Sequence, residues 1–188
     1  NLSQTRQISF NEYKELNPVI FTDETAEQGS CSKVLARQTY AINPDKTIMA
    51  IGWSHGQAKT IVNLWDLAGK RCLLKLPELD GAYLTLGFSS SGNYLVISMD
   101  RATYIWGVKE SKVTCQVNYA TDAIIYPAQK DVMVLSDALG GATGEDNVRN
   151  GLWDIEKCKK IQDYSFGMTH PTFNPNGDLL AGTLNNHL

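Results

Sequence analysis

The chain has very little of what metal or disulfide chemistry needs in close proximity. Its four cysteines, Cys31, Cys72, Cys115 and Cys158, never approach within 41 residues of one another. Zinc sites present cysteines in close pairs, because a tight turn aims two thiolates at one ion. The three histidines, His55, His170 and His187, are just as scattered, so neither a metal centre nor a cofactor is expected. Such even spacing fits equivalent core positions in a repeat, and the cysteines are expected to be reduced, buried thiols. Long apolar runs are missing too. Stretches such as "TIMAIGW" and "YLVISM" fall far short of the roughly 20 residues that a membrane helix needs.

Blocks of like charge are absent. Seventeen Lys and Arg are set against 20 Asp and Glu, for a net charge of −3, and the two signs are dispersed. This balance gives no electrostatic reason to expect nucleic acid or an anionic membrane as partner. The opening "NLSQTRQISF" lacks a basic segment followed by an apolar one. The expectation is an intracellular, cytoplasmic location, with a nuclear one left open. Helical periodicity is missing over most of the chain, although "FNEYKEL" near the start reads as a short helix between two strands, "RQISF" and "PVIFT".

What the sequence does contain is repetition. "KTIVNLWD" and "NVRNGLWD" both end in Leu-Trp-Asp, and "RATYIWGV" lies between them. Trp65, Trp106 and Trp153 are therefore separated by 41 and 47 residues. Upstream of each lies a second landmark: "AINPDKTIMAIG", "GFSSSGNYLVIS" and "IYPAQKDVMVLS", with a fourth copy in "TFNPNGDLLAGT". Each is a large apolar residue, a turn of Asn, Pro, Ser, Asp or Gly, and an alternating β-rich run. Pro fixes φ for the turn, while Gly, Asn and Asp tolerate positive φ and bond back to their own backbone. In the run after the turn, Tyr94, Val96 and Ser98 alternate with Leu95, Ile97 and Met99. Both sides are largely apolar, which predicts a strand covered on both faces.

One unit parses into four strands, "AYLTLGF", "YLVISM", "ATYIWGV" and "KVTCQV", joined by links of hairpin length. Four-stranded units at this period are the signature of propeller blades. On Leu64-Trp65-Asp66, Ile105-Trp106-Gly107, Leu152-Trp153-Asp154 and the "NPD", "SSSG" and "NPNG" turns, the chain resembles the WD-repeat β-propeller family over about residues 33 to 188. It departs from the family in two ways. The Gly-His pair before the first strand is missing, and the Asp of the second hairpin is matched only by Asp100, with Lys59 and Asn147 in the corresponding places. The resemblance implies an all-β segment of antiparallel blades at 33–77, 82–118 and 121–165. It also implies the first strands of a further blade at 168–188; residues 1–32 form an N-terminal segment that fits no unit well, in which "RQISF" and "PVIFT" are candidate strands of a preceding blade. Closed rings take about four to eight blades, so an incomplete ring is expected, with the remaining blades of a longer parent chain as partners. The tryptophans read as packing residues whose indole N–H groups find local acceptors.

Chemistry candidates are few. The glycine-rich "DALGGATGEDNVRN" at 137–150 has no Lys after its last glycine and leads into a strand, unlike a phosphate-binding loop. Its Asp137 and Asp146 are too sparse for a hard-ion loop. No nucleophile-elbow or zincin motif occurs, so no catalytic residue is assigned. In WD-repeat proteins the links from strand four to the next strand one, and from strand two to strand three, share the face most used for binding. By that resemblance this face carries His55, Tyr83, Arg101, Asp146, Arg149 and His170, and Arg and Tyr are frequent interface hot spots. The expected function is a non-enzymatic scaffold that docks other proteins. The alternative is the propeller domain of an enzyme, with its site at the central channel.

Overall fold

The computed structural model describes residues 4–5, 8–9, 14–15, 19–20, 39–55, 59–82, 85–100, 102–118, 122–127, 131–136, 151–163 and 168–184. Within them every regular element is a β-strand. Near the start, β1 (Gln4–Thr5) pairs with β4 (Val19–Ile20), and β2 (Ile8–Ser9) with β3 (Lys14–Glu15), all antiparallel. Lys14–Glu15 is thus extended, and the helix expected over "FNEYKEL" is corrected at those two residues. Pairing with Ile8–Ser9 outweighs a local preference that so short a segment cannot sustain alone.

Three blades follow. The first is β5 (Thr39–Ile42), β6 (Ile48–His55), β7 (Lys59–Asp66) and β8 (Arg71–Lys75), with a short β9 (Leu79–Asp80) added against β7. The second is β10 (Thr85–Phe88), β11 (Tyr94–Ser98), β12 (Ala102–Gly107) and β13 (Lys112–Asn118). The third is β14 (Asp122–Ile125), β15 (Val132–Ser136), β16 (Gly151–Asp154) and β17 (Lys159–Asp163). A two-stranded antiparallel sheet, β18 (Met168–Phe173) with β19 (Leu180–Leu184), comes next. All pairings are antiparallel, in chain order from the first strand of a blade to the fourth. The innermost strands β5, β10, β14 and β18 neighbour one another in that order. The sheets are therefore arranged as consecutive propeller blades, and the sheet path stays open.

Turn chemistry sets the strand register. In the first blade Asn43 Oδ1 accepts from the N–H groups of Thr47 (2.9 Å) and Ile48 (2.8 Å). Ser89 Oγ accepts from Tyr94 N (3.2 Å) in the second, and Asn174 Oδ1 from Leu179 N (3.0 Å) after β18. Three residues beyond each cap the backbone takes positive φ, at Lys46 (60°), Gly92 (73°) and Gly177 (77°). Glycine fills two of those three positions because it carries no Cβ to clash there. At Gly177 packing adds a second reason, since a Cβ would lie 2.9 Å from the Tyr126 ring. The Asp of each Trp-Asp pair closes the other hairpin. Asp66 Oδ1 accepts from Ala68 N and Gly69 N, both at 3.0 Å, and Asp154 Oδ1 accepts from Lys157 N at 2.8 Å. A register shift next to each tryptophan, between Leu64/Trp65, Ile105/Trp106 and Leu152/Trp153, marks a bulge repeated in all three blades.

The core lies between blades. Leu95, Ile97 and Trp106 of the second blade pack on Ala50, Val62 and Leu64 of the first. On its other face Val96, Ile105 and Val117 pack on Met133, Leu135 and Ile155 of the third. Successive residues of one strand thus serve opposite interfaces, as period-two geometry requires. Trp65 and Trp106 are buried and Trp153 is half-buried, each within the apolar cluster on the same side of its own blade. Polar contacts join the same neighbours. Asp131 of the third blade accepts from Ser91 N (3.0 Å), Ser91 Oγ (2.6 Å) and Ser90 Oγ (3.4 Å) in the turn of the second. Farther on, the Tyr126 and Phe173 rings meet edge to face, with centroids 5.1 Å apart.

Asp45, Asp66 and Asp154 are all held below the ordinary carboxylate range. The causes are the Thr47 hydroxyl for Asp45 and the Gly69 N–H for Asp66; at Asp154 burial opposes the shift, but hydrogen bonds from Lys157 outweigh it. A depressed folded-state value means that the stabilisation is complete above the unfolded value of about 4 and disappears as pH falls through the folded value. The melting temperature should hold steady from pH 7 to 5 and drop below about pH 4. The Asp66→Asn/Asp154→Asn variant should lose part of that acid limb, as calorimetry across pH would show.

Candidate functional site

Of the links that carry the expected binding residues, the best described joins the first blade to the second. It is fixed from both sides. β9 extends the first blade through Lys59↔Asp80 and Thr60↔Leu79, and Leu79 is buried. The buried Thr60 Oγ1 donates to Gly81 O at 2.8 Å and lies 3.0 Å from Ser54 Oγ. Lys59 Nζ forms an ion pair with Asp80, and that hydrogen bond holds the ammonium above its ordinary pKa. From the second blade, Asp100 Oδ1 accepts from Ala82 N (2.8 Å), while Asp100 N donates to Ala82 O (3.0 Å). Gly81, at φ +145°, allows the approach: a Cβ there would sit 2.9 Å from Asp100 Oδ1 and 3.0 Å from Met99 Cβ.

Asp100 thus has a structural task, tying its hairpin to the preceding link. Lys59 stands in the corresponding place of the first blade and does related work with the opposite sign, reaching Asp80 of the following link. Neither Asp80 nor Thr60 was among the candidates. "PELDG" shows no alternation, so nothing in the sequence marks it as a strand. Next to Asp100, Ser98 Oγ and Thr103 Oγ1 share a buried 2.8 Å hydrogen bond. Trp106 Nε1 is buried, and the local acceptor expected for it is not found among the described residues.

Of the candidate contacts, His55 is the last residue of β6, opposite Lys59, and not part of the link that follows. His170 lies within β18. Tyr83, Arg101, Asp146 and Arg149 lie outside the described residues, as does Asn147. Tyr83 and Arg101 are nevertheless the chain neighbours of Ala82 and Asp100, which are hydrogen-bonded to each other. Among the described residues, no three His, Cys, Asp or Glu side chains gather as metal ligands. No helix there is long and apolar enough to cross a membrane.

The expectation of reduced thiols is overturned. Cys115 and Cys158 form a disulfide, with Cα atoms 5.7 Å apart, and Cys72 is also disulfide-bonded. The near-repeat spacing of 43 residues hid this pairing, because the two cysteines occupy different places in their blades. Cys115 is on the outer strand β13, opposite Ile105. Cys158 ends the turn before β17, and the next blade carries that turn onto β13.

No family model matches the chain, and no curated protein matches it by sequence. Solved structures do resemble it. The Dos1 propeller is 12% identical with a TM-score of 0.60, over 92% of this chain and 42% of that one. The Kuenenia stuttgartiensis hydrazine synthase is 13% identical with a TM-score of 0.64, over 98% and 51%. The β-propeller domain of Myceliophteria thermophila Cps50 (Swd1) is 16% identical with a TM-score of 0.58, over 81% and 52%. The chain spans about half the length of these solved chains, and the likeness shows the fold, a β-propeller built of four-stranded blades.

Replacing Asp100 by Ala leaves the Ala82 N–H without its acceptor and should cost about 1–2 kcal/mol. Asp100→Asn keeps an acceptor oxygen and should recover most of that, as urea unfolding of the two variants would measure.

Proposed function

We propose that the chain is a non-enzymatic WD-repeat-type scaffold that docks other proteins, together with further blades, on the face formed by the strand-two to strand-three and strand-four to strand-one links. The pinned link between the first two blades is the observation that supports this reading most. Thr60, Lys59 and Asp100 hold residues 79 to 82 from two blades at once. Tyr83 and Arg101 continue the chain directly from that fixed backbone. A platform held this way loses little conformational freedom on binding, which favours affinity. Tyr and Arg are residue types that supply interface hot spots. The cytoplasmic expectation has an opponent in the Cys115–Cys158 bond, because disulfides persist in oxidising compartments and are rare in the cytosol.

The test compares two paired substitutions at opposite ends of the blades. Partners captured by the native chain should be lost, by at least about tenfold, on Tyr83→Ala/Arg101→Ala, since one hot spot contributes about 2 kcal/mol or more. Lys109→Ala/Glu110→Ala, in the turn between β12 and β13 at the other end, should retain them. Equal retention by both variants, with melting temperatures unchanged, would remove the link face from consideration.

A further inference from the structure

We propose that the Cys115–Cys158 disulfide is a redox latch between the second and third blades, closed in oxidising surroundings and opened by a dithiol reductant, with the blades remaining folded in both states. The bond spans an interface. Cys115 is buried among Val96, Ile105, Val117, Met133, Leu135 and Ile155, and Cys158 packs at the edge of that cluster.

Closing the bond asks nothing unusual of the backbone. Cys158 sits at φ 52°, and the residues in the same place in the first and second blades, Lys70 and Ser111, sit at 49° and 51° with no disulfide there. The turn adopts this conformation whether or not it carries a cysteine. The Cα separation of 5.7 Å is ordinary for a disulfide. The two thiols are therefore placed for bonding by the blade fold itself, and breaking the bond leaves each backbone where it was. The interface also keeps other ties when the latch is open: the apolar cluster and the three hydrogen bonds from Ser90 and Ser91 to Asp131. Reduction loosens the junction without dismantling it.

Access decides the order of events. Cys115 is 5% exposed, whereas Cys158 lies half-buried in a surface turn, so a reductant thiolate reaches Cys158 Sγ. Its sulfur bonds to Cys158, the Cys115–Cys158 bond breaks, and Cys115 leaves with the electron pair and takes a proton. The second thiolate of the reductant then attacks the reductant's first sulfur and expels Cys158. The reductant is oxidised to its own disulfide, and two protein thiols result.

The test uses the native chain and its Cys115→Ser/Cys158→Ser variant, purified without reductant, with peptide mapping by mass spectrometry and thermal melting at graded dithiothreitol concentrations. Mapping should recover the 115–158 linked peptide from the native chain, with the link lost as dithiothreitol rises and restored on oxidation. The bond closes a loop of 43 residues, so its reduction should lower the melting temperature by about 5–15 °C, with a cooperative transition retained. The variant should start from that lower value. Because Cys72 is also bonded, the latch is read from the difference between the two proteins in their response to dithiothreitol. Free thiols at 115 and 158 in the oxidised native chain, or equal responses in both proteins, would overturn the proposal. So would complete unfolding on reduction, which would make the bond a condition of folding and not a latch. Should the variant fail to fold, the native chain's mapping and melting still decide.

Discussion

A blade's middle strands have two apolar faces and must be covered on both. Everything else in this structure follows from that constraint. Along β11, Leu95 and Ile97 go to the first blade and Val96 to the third, so no single sheet can bury its own residues. Apolar burial is worth roughly 25 cal/mol per Å², and it is gained only where two blades meet. Stacking in chain order, with the first strands innermost, gives each sheet its two neighbours. The hydrogen bonds from Ser91 to Asp131 and the Tyr126–Phe173 contact fix those neighbours in rotation as well as in distance.

The same constraint explains why so much of the fold could be read from residues alone. Double-sided apolar runs, Asn or Ser caps with a positive-φ position three residues on, and Asp closing the hairpin after Trp are all local signals. They placed Tyr94–Ser98 and Ala102–Gly107 within the segments read as strands. What escaped notice depends on contacts distant in the chain. β9 forms because Thr60 and Lys59 offer partners for "LD" in a segment with no pattern of its own. The disulfide joins positions of different kind in successive blades, so the repeat spacing pointed away from it. Charge at the link was legible as a departure, Lys59 where an acid was expected, but its compensation by Asp80 was not.

For the candidate face, the sequence named Tyr83 and Arg101 by residue type and by resemblance. Both lie outside the described residues, and what the structure shows is how the adjoining backbone is held, by neighbours that the sequence did not mark: Gly81, whose missing Cβ lets Asp100 approach, and Thr60, whose hydroxyl donates to the Gly81 carbonyl. A link fixed by backbone and buried hydroxyl contacts is less open to solvent screening than one held by exposed charge. The Lys59–Asp80 pair, with Lys59 half-buried and Asp80 exposed to solvent, adds little by comparison.

The central claim is that blades are stable through their neighbours, and native-state hydrogen exchange on a cavity variant tests it most directly. Met133 is fully buried between the second and third blades, and Met133→Ala should cost about 2–5 kcal/mol. The account predicts that amides of β11 and β12 in the second blade lose protection together with those of β15 and β16, because the cavity lies in a surface that both sheets need. Loss of protection confined to residues 122–163, with 94–107 unchanged, would show that each sheet holds itself together, and would contradict the account.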